Sequence, residues 1–123
     1  MKRDMDLIRK ILLKLEEHEH GHAPEPFKVE GYTDELVGFH VHLMGEAGLL
    51  RVANITGFDD SSPMAIPSSI LPVGYDFLDA ARNDKIWAQV KKRLADEAVS
   101  VPITVFLAML KAKIAEKLGL PEL

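Results

Sequence analysis

Three groups of side chains could do chemistry: a histidine cluster, one histidine on an apolar face, and a cationic helix face. His18, His20 and His22 alternate in HEHGH, and neutral imidazoles are good ligands for zinc or nickel. Residues two apart point to different sides of a helix, however, so the three converge only on an extended chain. The 123-residue chain also contains no cysteine to complete a structural zinc site. The expected state is therefore a solvated helix end with no metal. His40 shares a helical face with Leu36, Leu43, Met44 and Ala47, where it could be a buried acid or base. A core histidine bonded to backbone is the expectation.

The cations Arg82, Lys85, Lys92 and Arg93 fall in a segment, residues 80–94, that is net +4. Residues 16–60 carry ten acids against Lys28 and Arg51 alone, which makes that block net −8. The chain is electrostatically two-sided, although its net charge is only −4. The cationic stripe could contact phosphates or an acidic partner surface, and the alternative is a solvated helix face. Trp87 reads as core rather than as a stacking platform. No G-x-S-x-G elbow, H-E-x-x-H helix, P-loop or dinucleotide glycine fingerprint occurs. No catalytic residue can be named, and a non-enzymatic protein without cofactor is expected.

These groups must be held by a small frame. At 123 residues and 47% apolar content the chain suits one domain, with a core over 1–80 and a helical extension over 81–123. Without cysteine there is no disulfide framework, which fits a reducing cytoplasm. MKRDMDLIRK interleaves charge with apolar residues, so no targeting or membrane segment is expected at the start.

Met5, Ile8, Ile11, Leu12 and Leu15 recur at helical spacing behind Asp4, predicting a helix over 4–18. The proline- and glycine-containing stretch from His18 to Pro26 ends it, and Phe27–Val29 is a candidate short strand. Thr33 caps a second helix, with Asp34 and Glu35 in its first turn, and Gly48 stops it. The outward face of that helix is expected to carry Asp34, Glu35, Gly38, His42 and Glu46. Leu49–Ile55 and Ser69–Val73 read as paired strands around the turn-rich loop TGFDDSSPMAIPSS. Tyr75–Leu94 is helical with a possible break at Asn83. Ser100 is expected to cap a last helix, which Gly119 and Pro121 end.

The order helix, short strand, helix, strand, loop, strand, helix resembles a winged helix with its wing at residues 56–69, and EAGLLRV resembles the junction that follows the recognition helix in many bacterial regulators. More specifically, MKRDMDLIRKILLKLEE, EGYTDELVGFHVHLMGEAGLL and GYDFLDAARNDKIWAQVKKRL resemble the bacterial and phage family catalogued as domain of unknown function 2513. The resemblance covers most of residues 1–94, and the final helix is similar in length and place. It implies an α+β, winged-helix-like domain with a two-stranded wing, additional C-terminal helices and a frequent prophage setting. It brings no reaction or ligand. Pro72-Val73 departs from the Thr-Trp-like pair expected before Gly74, so the last strand is expected to end early.

The functional expectation is a non-catalytic winged-helix module, either a small prophage-associated regulator binding DNA weakly or indirectly, or a protein-interaction adaptor that binds no nucleic acid. A helix presenting Asp34, Glu35 and Glu46 would repel phosphates, so DNA contact is expected from Arg82, Lys85, Lys92 and Arg93. Ile103, Phe106, Leu107, Leu110, Ile114 and Leu118 form a stripe on the last helix that is broader than a surface helix needs. Phe106, Leu107, Leu110 and Ile114 are the candidate homodimer contacts.

Overall fold

The computed structural model describes residues 2–18, 26–57 and 62–121. His20 and His22 lie outside the described residues, and with them the question of a histidine cluster. Among the described residues the fold is α+β, with five helices and a two-stranded antiparallel sheet, an arrangement consistent with a winged helix carrying C-terminal helices. It divides into two compact units, Met1–Tyr75 and Asp76–Leu123.

In the first unit, α1 (Met5–Glu16) begins where the Asp4 carboxylate accepts the Leu7 N–H at 3.2 Å. Leu7, Ile8, Ile11, Leu12 and Leu15 are its buried face. Helix α2 (Asp34–Glu46) starts the same way, with the Thr33 hydroxyl accepting the Leu36 N–H at 3.1 Å. At its end Gly48 takes φ +78°, where a Cβ would be costly, which lets the Gly48 N–H reach the Gly45 carbonyl and the Leu49 N–H reach that of Met44. The buried residues of α2 are Val37, Gly38, His40, Val41 and Met44. Gly38 therefore faces inward, not outward as its position suggested.

The hairpin pairs β1 (Leu50–Asn54) with β2 (Ala65–Ile70). The second strand thus starts before the expected Ser69 and lies largely in the stretch read as loop, while Pro72 and Val73 belong to helix α3 (Pro72–Ala80). A missing N–H suits the first turn of a helix as well as the end of a strand, so proline alone did not decide between them. Arg51 pairs with Ser69 but Val52 pairs with Pro67, leaving Ser68 as an extra residue in a bulge. That extra residue flips the alternation, which is why Ala65, Pro67 and Ile70 are all buried. Thr56 closes the base of the loop: its N–H and hydroxyl both donate to Asn54 Oδ1, and its hydroxyl oxygen accepts the Met64 N–H at 2.9 Å. Phe27–Val29 is not a strand. Its segment lies on α1 instead, with the Lys14 ammonium 5.4 Å from the Phe27 ring and that of Lys10 5.2 Å from the Tyr32 ring.

In the second unit the expected break is real. Helix α4 (Asp84–Asp96) begins after Asn83, whose side-chain oxygen accepts the Ile86 N–H at 2.9 Å. Helix α5 (Ile103–Leu118) begins after Pro102, which occupies the cap position without a side-chain bond, so Ser100 is not the cap. Phe77, Trp87 and Phe106 form one aromatic cluster, with the Trp87 and Phe106 centroids 4.9 Å apart.

Candidate functional site

Helix α4 turns Ile86, Trp87 and Val90 inward, and this leaves Lys85, Lys91, Lys92 and Arg93 exposed. Arg82, just before the helix, donates to Asp79 at 3.0 Å, and Lys92 pairs with Asp96 at 2.8 Å. Both pairs are exposed and worth at most about 1 kcal/mol, so an external anion could displace them. Lys85 and Arg93 form no ion pair among the described residues. All four cations named from the sequence are exposed, and two of them, Arg82 and Lys92, are already partnered.

Arg93 also borders a groove of about 430 Å³ in the second unit, lined from α5 by Met109, Ala112, Lys113 and Glu116 and closed by Leu120. Phe106, Leu107 and Leu110 do not line it. They are 1%, 9% and 0% exposed, and Ile114 is half-buried. Phe106, Leu107 and Leu110 thus present little surface to a second copy, whereas Ile114 keeps some. Val99, Val105, Leu118 and Leu120 are the exposed large apolar side chains of this stretch. Periodicity could not separate the two sets, because α5 carries apolar residues around most of its circumference.

His40 is fully buried and bridges two elements of the first unit. Its Nε2 accepts the Asp4 backbone N–H at 2.8 Å, which requires the proton to sit on Nδ1, where it is donated to the Leu36 carbonyl at 2.9 Å. Burial lowers its pKa from the ordinary 6.5, assisted by Arg3 and opposed by the Leu36 hydrogen bond and the Asp4 carboxylate. Both ring nitrogens are committed to backbone, as expected of a core histidine. On α2, Asp34, Glu35 and Glu46 are exposed and His42 is half-buried, so the outward face of the would-be reading helix is acidic. Among the described residues no helix lies between α1 and α2, and no group of three or more potential metal ligands comes together.

The family model described as "Hypothetical protein (DUF2513)" matches residues 2–100. The chain belongs to this family. The matched region runs from α1 through α4 and stops short of α5. A Haemophilus influenzae relative, called "Uncharacterized protein", continues across α5: it is 29% identical over 122 residues, covering 97% of this chain and 100% of its own length. No solved structure matches the chain. No described helix is long and apolar enough to cross a membrane.

Proposed function

We propose that the protein is a non-catalytic contact module that works by binding protein, in the first place a second copy of itself. The observation carrying this reading is that Val99, Val105, Leu118 and Leu120 are 51%, 43%, 65% and 49% exposed within one stretch after α4. Large apolar side chains left exposed in this stretch are available for a partner to cover, and two-fold homodimers are the commonest assembly. The commitment of both His40 ring nitrogens to backbone supports a structural role for the one buried titratable side chain among the described residues, in keeping with a protein that is not an enzyme. The setting we propose is cytoplasmic, as a prophage-associated regulator or adaptor. Light scattering across a range of concentrations tests the reading: a dimer–monomer equilibrium is expected, and a monomer at every concentration refutes it.

A second reading is favoured by the exposed Lys85, Lys92 and Arg93: weak contact between α4 and nucleic-acid phosphates, with no base reading by α2. Two to four neutralised phosphates would give log affinity against log salt a slope of roughly −2 to −4. Fluorescence anisotropy on unrelated duplexes should show similar, salt-sensitive binding. Tight, salt-resistant binding to one sequence, lost on changing Thr33, His42 or Glu46, would refute it.

A further inference from the structure

We infer that the α4–α5 groove is the surface through which two copies of this chain pair, Arg93 of each copy meeting Glu116 of the other. The inference rests on the self-association proposed above and assigns it a place and a geometry.

The outward side of α5 carries Val105, Ala108, Met109 and Ala112, spaced i, i+3, i+4 and i+7, so they share one face without a charge for two turns. Val105, Ala108 and Ala112 are exposed and Met109 is half-buried. Alanines at the middle of the face allow a second helix to approach within the usual 8–10 Å, and Val105, Met109 and Leu120 supply the side chains that interdigitate.

Charge identifies the occupant. Arg93, on the α4 side of the groove, has no ion pair among the described residues. Glu116, on the α5 side, is 73% exposed and reaches Lys113 only at 3.5 Å. A two-fold interface places residue i against j and j against i, so a groove with a cation on one helix and a carboxylate on the other is complementary to itself. Pairing in this way takes Arg93 out of the phosphate-contacting set and leaves Lys85 and Lys92 there.

The extent of the face sets the strength. A 16-residue α5 is about 24 Å long, and a surface two helices wide offers on the order of 500–700 Å² per copy. That lies just under the standard interface, so the dimer should be weak and concentration-dependent.

Sedimentation equilibrium on the full chain tests the inference, with circular dichroism confirming that each variant is folded. Ala112→Arg, at an exposed position, should give a monomer. Arg93→Glu and Glu116→Arg should each weaken association by about tenfold, since the pair occurs twice, and the double reversal should restore it. A wild-type protein that stays monomeric overturns this inference together with the self-association reading. A dimer that persists through Ala112→Arg and both single reversals overturns the groove assignment and leaves self-association standing.

Discussion

Replacing Gly74 with alanine sets two effects of opposite sign against each other. Gly74 lies in α3, and alanine there should favour the helix by about 1 kcal/mol through its better propensity. A Cβ at that position would stand 2.1 Å from the Leu49 carbonyl oxygen and 2.8 Å from Ile70 Cγ2. Ordinary contact requires the oxygen to retreat by roughly 1 Å, and it belongs to backbone, not to a flexible side chain. The same oxygen accepts the Leu71 N–H at 2.9 Å, so moving it weakens a bond with a net value of about 1 kcal/mol. Overpacking of this kind adds about 1–3 kcal/mol. The clash should win, leaving a net loss of about 1–3 kcal/mol, a sizeable part of a typical total of about 5–15 kcal/mol. Urea titration followed by circular dichroism should show a lower midpoint with an unchanged slope. Gly38→Ala is the control, because its Cβ would meet the mobile end of Met64 at 2.7 Å, and the cost should stay below about 1 kcal/mol. A Gly74→Ala midpoint equal to or above wild type would refute the reasoning.

Three further outcomes are expected. Ala98 ends α4 at φ +54°, with the Val99 N–H bonded to the Leu94 carbonyl in the arrangement that usually employs glycine, so Ala98→Gly should stabilise the protein by about 0.5–1 kcal/mol; a lower melting temperature would contradict this. Asn83→Ala removes the acceptor of the Ile86 N–H and should cost about 1 kcal/mol in a urea titration, whereas Asn83→Asp should cost little; equal stabilities for all three proteins would exclude the cap. His40 titrates below 6.5 when folded and near 6.5 when unfolded, so its contribution is complete above about pH 6.5. As pH falls toward the folded value the unfolded state gains the proton first, and stability should decline by up to about 1.4 kcal/mol per pH unit, then level off. His40→Gln should flatten that part of the stability profile, and an identical profile in the two proteins would rule out His40 as its source.

Local signals were legible because they act within about one helical turn. Asp4, Thr33 and Asn83 each place a side-chain oxygen three residues before the N–H it accepts, and Gly48 occupies a backbone region that favours glycine. Those features, together with the helical recurrence of Met5, Ile8, Ile11, Leu12 and Leu15, made α1, α2 and the α3–α4 break legible from residue order alone, as three longer matching strings did the family. The absence of cysteine likewise determined that no thiolate chemistry is possible. Which side of an element is covered is a property of what packs on it. Only the tertiary structure put the extra residue of β2 at Ser68 and so returned Ile70 to the buried face, gave Pro72 to a helix, and turned Gly38 inward. It also placed Phe106 in the aromatic cluster and buried Leu110 while leaving Val105, Ala108 and Ala112 at the surface. A helix with apolar residues around most of its circumference can present either side to the interior, and the neighbours that choose between them, Phe77 and Trp87, lie on other elements.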